Sequence, residues 1–158
     1  MKNPVIFTDL DGTLLDHSTY SFDRALPALT LVRARGIPLV ICSSKTRKEI
    51  EWYRKKLDNR HPFSTENGGG IFIPAGYFDP LEPPAGLTLT SEAGYSRISL
   101  GAPYRTLRRI VEELRNEGFE ITGFGDMSTA EVAAVTGLSE ESAAVARERD
   151  FDEPFLFD

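Results

Sequence analysis

Cysteine is nearly absent from this chain. Cys42 is the only one, so no internal disulfide can form, and its apolar neighbours point to a buried thiol. Basic runs are missing as well. The 24 acidic residues against 18 basic ones leave a net charge of −6, which argues against nucleic acid and anionic membranes as partners. That acidity is a bulk property and leaves a phosphate substrate open, because a metal and local donors set the field inside a site. Long apolar runs are absent too: no stretch reads as a signal segment or a membrane span. Neither internal repeats nor low-complexity tracts occur. With 158 residues, 41% of them hydrophobic, the chain can bury a core. The expectation is a soluble, cytoplasmic, globular protein of one domain, or one and a fraction.

What is present centres on Val5-Ile-Phe-Thr-Asp-Leu-Asp-Gly-Thr-Leu-Leu15. The apolar run reads as a short buried strand that ends in two acids one residue apart. Residues i and i+2 of a strand share a face, so Asp9 and Asp11 approach the same small space. Gly12 permits a sharp turn there, and Thr13 adds a hydroxyl. Open parallel sheets place ligands just beyond the carboxyl ends of their strands. Two carboxylates in that place suit a hard cation such as Mg²⁺, or a nucleophile paired with a proton shuttle. The plain alternative is an Asx-rich turn after a strand.

A helix is predicted over Asp23 to Arg35, with Pro27 in its first turn and Gly36 as a left-handed stop. Ile37 to Cys42 then reads as a second buried strand, giving a crossover and a parallel sheet. It ends in Ser43-Ser44-Lys45-Thr46. Thr46 and Glu49 have the spacing of a capping box, so a helix starts there and runs toward Leu57. Hydroxyls and free amides at a helix start make a phosphate cradle, or the serines simply cap the helix. Ile50, Tyr53 and Leu57 are expected inward, and Trp52 is read as a packing or interface residue. His61 is expected to face solvent and is given no role. Phe63 to Ile73 reads as strand, glycine turn, strand, with Asn67 and Gly68 at the turn.

The five residues Asp9-Leu-Asp-Gly-Thr13 after a buried strand resemble the first motif of the haloacid dehalogenase-like phosphatases. The resemblance implies that Asp9 attacks phosphorus to form an aspartyl phosphate. Asp11 then protonates the leaving oxygen and later deprotonates the hydrolytic water. It implies Mg²⁺ bound by the Asp9 side chain, the Asp11 backbone carbonyl and a later acid. Ser43 matches the second motif, a hydroxyl that holds phosphoryl oxygens, with Ser44 and Lys45 as weaker candidates. Glu66-Asn67-Gly68 is similar to the segment of members whose cap is inserted after the third core strand, where Asn67 could orient a loop near the site. The implied fold is α/β, with a Rossmannoid parallel-sheet core and an α+β cap.

Prolines and glycines interleave over 74–86, and a boundary is expected near Pro83, separating a core part (1–82) from a cap part (83–158). In the second part, strands are predicted at Tyr95–Leu100 and Phe119–Thr122. A helix opens at Pro103 and ends at Gly118, with Tyr104, Leu107, Ile110, Val111 and Leu114 on one face. Ser128 and Glu131 form a second capping box before a helix to Thr136. Ser139 caps a helix ending near Arg149, and Pro154 to Phe157 begins a strand. Gly125-Asp126 is not taken as the late metal motif, since it lacks a second Asp a few residues on and no core strand precedes it. Asp126, Met127 and Ser128 could read the non-phosphate end of a substrate or shape the turn.

Five segments, Phe7–Thr13, Cys42–Thr46, Glu66–Gly69, Gly123–Met127 and Arg149–Phe155, are together similar to the mannosyl-3-phosphoglycerate phosphatase family. That resemblance implies a phosphomonoesterase acting on a small phosphorylated sugar-glycerate, with Arg147 and Arg149 as candidates to clamp the glycerate carboxylate. Both arginines also suit a solvated helix terminus. Two other readings stay open: another sugar-phosphate phosphatase, and a non-catalytic phosphate- or partner-binding module. The family's later lysine, its paired-acid metal motif and its last core strands have no counterpart here. The chain is therefore expected to be the first part of a longer phosphatase or a shortened gene product, prone to self-association or to pairing with a missing segment.

Overall fold

A computed structural model describes residues 4–157. Strand β1 (Ile6–Thr8) pairs in parallel with β2 (Leu39–Cys42), and β2 in parallel with β3 (Phe63–Thr65). Helix α1 (Leu26–Ala34), entered through a single 3-10 turn at Asp23–Ala25, carries the chain from β1 to β2. Gly36 has φ 61° and turns the chain out of α1. Helix α2 (Arg47–Lys56) makes the next crossover, and both halves of the expected capping box are formed between Thr46 and Glu49.

The sheet is mixed rather than wholly parallel. Beyond β3, strands β4 (Gly70–Pro74), β5 (Leu89–Glu92) and β6 (Tyr95–Ser99) add antiparallel, giving the order β1-β2-β3-β4-β6-β5. The boundary expected near Pro83 thus falls in the connection between two strands of one sheet, which the chain leaves only after Ser99. Buried Arg54 on α2 helps to tie β6 in. Its guanidinium donates to the Tyr95 hydroxyl (2.9 Å) and the His61 carbonyl (2.7 Å), and lies 4.4 Å from the Phe63 ring centroid. His61, expected in solvent, is half-buried with Nδ1 2.7 Å from the Tyr77 hydroxyl. The core gathers Leu10, Leu15, Ile41, Ile50, Tyr53, Leu57, Phe63 and Phe72, with the last two rings stacked at 5.3 Å.

After Ser99 the chain forms α3 (Tyr104–Asn116), β7 (Ile121–Gly123), α4 (Thr129–Thr136), α5 (Glu140–Ala146) and β8 (Phe155–Phe157). β7 and β8 make a separate antiparallel pair. Only Val111 of the expected α3 face is fully buried, and Ile110 is exposed. α5 stops at Ala146, short of Arg149, and the Arg149 side chain turns back to donate to the freed Ala146 carbonyl at 2.9 Å. Phe124, Met127, Val132 and Ala143 form a second small core. Among the described residues, no helix is long and apolar enough to cross a membrane.

Asp126 sits at the hub of this second part. Its carboxylate accepts from Arg108, Arg115 and the Gly123 amide (2.9 Å), and hydrogen bonds from Arg108 and then Arg115 hold it well below the usual carboxylate range. A carboxylate depressed in the fold contributes stability above its unfolded pKa of 3.8 and loses it as pH falls through the folded value. Asp126→Asn should therefore lower Tm, with a cost of about 1–2 kcal/mol at neutral pH. The gap to the unaltered protein should narrow below about pH 4. Thermal melts of both proteins between neutral and strongly acid pH check this; a gap that widens in acid would contradict it.

Candidate active site at the ends of β1 and β2

The parallel register sets Thr8 beside Ile41, so the segments leaving β1 and β2 emerge side by side. Asp9 follows directly on β1, and Asp11 lies two residues on, where Gly12 turns the backbone with φ 67°. On the neighbouring strand, Ser43 is buried and its Oγ accepts from the Lys45 amide at 3.3 Å. An oxygen that accepts in this way keeps its own O–H to donate. The sequence-predicted Asp9, Asp11, Ser43 and Lys45 thus come together at one end of the sheet.

Lys45 carries the positive charge of the site. Its Nζ is 3.1 Å from Asp11 Oδ1, 3.8 Å from Glu49 Oε1, and 5.4 Å from the Tyr20 ring centroid. Asp11 Oδ1 is fully buried and has no well-aligned hydrogen bond, so this ammonium is its nearest compensation. Cys42 lies close to Asp9, but burial first and the Asp9 charge second push its thiol up, so it stays protonated at neutral pH and is a poor nucleophile. Burial, with smaller contributions from Asp11 and Glu49, likewise pushes Tyr53 up to about 12, leaving its hydroxyl a donor.

The loop that presents Ser43 is held from behind. The Glu66 amide donates to the Lys45 carbonyl at 3.1 Å and the Asn67 amide to the Ser43 carbonyl at 3.2 Å. Asn67, at φ 57°, also donates through Nδ2 to Asp152 at 3.3 Å. Glu66, given no role of its own from sequence beyond its place in the Glu66-Asn67-Gly68 segment, is 2% exposed and is a principal anchor. Its carboxylate accepts from three successive amides, those of Asp150 (3.0 Å), Phe151 (2.6 Å) and Asp152 (3.0 Å). Phe151 is thereby pressed onto Gly70 and Gly101, where an added Cβ would come within 2.6 Å and 3.0 Å of its side chain.

The remaining predicted residues lie elsewhere. Arg149 donates to the Ser44 carbonyl (3.0 Å) and to Asp152 (2.6 Å), so it joins the latch to the Ser43 loop. Ser44 is exposed. Arg147 donates to the Thr129 hydroxyl at 3.2 Å, tying α5 to α4. Ser128 caps α4 in a complete box with Glu131, and Asp126 shapes its turn as described. Among the described residues, no group of three or more His, Cys, Asp or Glu side chains comes together to hold a metal.

Residues 6–77 match the family model of haloacid dehalogenase-like hydrolases. The chain is 48% identical over 153 residues to a glucosyl-3-phosphoglycerate/mannosyl-3-phosphoglycerate phosphatase of Methanococcoides burtonii, covering 96% of this chain and 54% of that protein. It is 45% identical over 154 residues to a protein of the same name from Persephonella marina (98% and 55%). A mannosyl-3-phosphoglycerate phosphatase of Pyrococcus furiosus is 35% identical over 149 residues (94% and 58%). The chain spans about half the length of the curated relatives it matches. Among solved structures, it is similar in fold to a haloacid dehalogenase-like hydrolase from B. subtilis, with a TM-score of 0.54 and 16% identity over 97% of this chain and 59% of that one. A hypothetical protein from Geobacillus kaustophilus gives 0.55 and 18%, over 95% and 56%. By these matches residues 6–77 are similar to the haloacid dehalogenase-like hydrolases, and the likeness to the named phosphatases runs through nearly the whole of this chain.

Proposed function

We propose that these residues form the nucleophile half of a Mg²⁺-dependent phosphomonoesterase site whose substrate is a sugar phosphoglycerate such as 2-O-mannosyl-3-phosphoglycerate. The single observation that carries this reading is the pair Asp9 and Asp11 leaving β1 beside the end of β2, where Ser43 and Lys45 follow and the Lys45 ammonium reaches Asp11. The names of the relatives point to the same substrate. Asp9 attacks phosphorus as the bond to the glycerate oxygen breaks, and Asp11 gives that oxygen its proton. Asp11 then takes a proton from water, whose oxygen displaces the Asp9 carboxylate and releases inorganic phosphate and mannosylglycerate. Ser43 donates to a phosphoryl oxygen throughout, and Lys45 offsets charge on the phosphate side.

Asp9 and the Asp11 carbonyl offer hard oxygens suited to Mg²⁺, but among the described residues no third acid gathers with them to hold a metal, so most of its octahedral positions would be filled by water. A bound Mg²⁺ supplies charge neutralisation between nucleophile and phosphate. With so few fixed charges, the 158-residue chain on its own should be a weak phosphatase. It should also self-associate. β1 lies at the edge of its sheet, Phe7 is 69% exposed, and Phe155, Leu156 and Phe157 are exposed on β8.

The test is phosphate release from a panel of sugar phosphates, with and without Mg²⁺, alongside a sizing measurement on the same sample. Slow, Mg²⁺-dependent release, greatest for the sugar phosphoglycerates, from an associated species is expected. Fast turnover by a monodisperse monomer would contradict the account of weakness. No release together with phosphate binding would favour a non-catalytic binding module.

A further inference from the structure

Helix α2 is strongly charged, yet it carries a half-exposed tryptophan. Trp52 is 52% exposed, its ring meets Tyr53 edge-on at 4.7 Å, and Lys56 Nζ lies 3.4 Å from its centroid. The Lys56 ammonium covers one face of the ring, and about half of the side chain stays exposed. Trp52 lines a cavity of about 450 Å³ between α2 and the corner joining α4 to α5. Tyr20 and Tyr53 share that lining with Lys45, Glu141 and Ser142, whereas Lys56 lines only the neighbouring cavity. The link to the chemistry is Lys45, whose Nζ touches Asp11 while its side chain borders the cavity.

We propose that this cavity is the subsite for the sugar ring of the substrate, with Trp52 as its stacking platform. The inference rests on the phosphatase reading and adds where the non-phosphate end lies. The volume falls in the usual range for small-ligand sites. A pyranose ring has an apolar C–H face and a rim of hydroxyls. The aromatic wall of Tyr20 and Trp52 suits the face, and Glu141, Ser142 and the protonated Tyr53 hydroxyl suit the rim. The position also differs from that of Asp126, Ser128, Arg147 and Arg149, none of which lines this cavity.

Trp52 is the only tryptophan, so intrinsic fluorescence reports on it alone. Titrations with 2-O-mannosyl-3-phosphoglycerate, 3-phosphoglycerate and inorganic phosphate, each with Mg²⁺, test the assignment, with calorimetry giving affinities. The mannosyl ligand is expected to shift Trp52 emission and to bind about tenfold tighter than 3-phosphoglycerate, a margin within reach of one stacking contact. Trp52→Ala should collapse the ratio of the two affinities toward one, and Trp52→Phe should restore much of it. Equal affinities and a silent Trp52, with phosphate still bound, would overturn the subsite and leave the phosphate site standing. Trp52→Ala weakening both ligands equally would mark a structural role and also overturn it. So would emission that follows protein concentration instead of ligand, the mark of an interface between copies. Failure of every ligand to bind would remove the phosphatase reading itself.

Discussion

Asp9→Asn should reduce phosphate release to background while leaving the fold intact. Asp9 is an exposed residue in the segment leaving β1 and is not part of the core, so its replacement should change stability by no more than about 0.5 kcal/mol. An amide is far too weak a nucleophile toward phosphorus. The Cys42 thiol is pushed up by burial, and the Ser43 oxygen is engaged by the Lys45 amide. Asp11→Asn should differ in kind. It removes the proton shuttle, so turnover should fall by roughly 10²–10⁴-fold, and the aspartyl phosphate should outlive its formation. Initial rates of phosphate release, with melting curves as the control for folding, separate the two variants. Near-normal turnover by Asp9→Asn would refute its role.

The second large effect is expected far from the acids. Glu66→Ala removes the acceptor of three consecutive buried or part-buried amides, those of Asp150, Phe151 and Asp152. An N–H left unsatisfied costs about 1–3 kcal/mol, so a loss of roughly 3–5 kcal/mol is expected. That is a large share of a typical domain's stability and should lower Tm by roughly 10 °C. Activity should suffer too, because the Glu66 and Asn67 amides grip the carbonyls of Lys45 and Ser43. Glu66→Gln should be intermediate, since it keeps an acceptor oxygen but turns an NH₂ toward the same donors. A Tm within 2 °C of the unaltered protein, an interval of about 1 kcal/mol or less, would show that the latch is not needed.

How much of this was legible in the sequence depended on how local the signal was. The acid pair after an apolar run, the Thr46–Glu49 and Ser128–Glu131 capping boxes and the stop at Gly36 are each encoded within a few residues. The two capping boxes and the stop at Gly36 form as expected, whereas the apolar run forms a strand that is not buried: it lies at the sheet edge with Val5 and Phe7 exposed. The partners of the half-buried strand at Tyr95–Ser99 were not legible, because alternation marks a half-buried strand without naming its neighbour. Pairing with β4 is decided by long-range contacts such as Arg54 with Tyr95. Glu66 was missed for a related reason. Its donors lie more than 80 residues along the chain, and nothing near it in sequence marks a buried carboxylate. The Gly125-Asp126 turn shows the reverse case. Its residues suggested two roles, and the two arginines that hold Asp126 come from α3, where only their spacing on one helix could have hinted at a shared partner.

The most direct test of the central claim is to locate the transferred phosphoryl group. The Asp11→Asn variant would be mixed with 2-O-mannosyl-3-phosphoglycerate and Mg²⁺, quenched in acid, digested and sequenced by mass spectrometry. One phosphoryl group on Asp9, absent from the Asp9→Asn protein, is the predicted result. A phosphoryl group on Ser43 or Cys42, or phosphate release with Asp9 replaced, would contradict it.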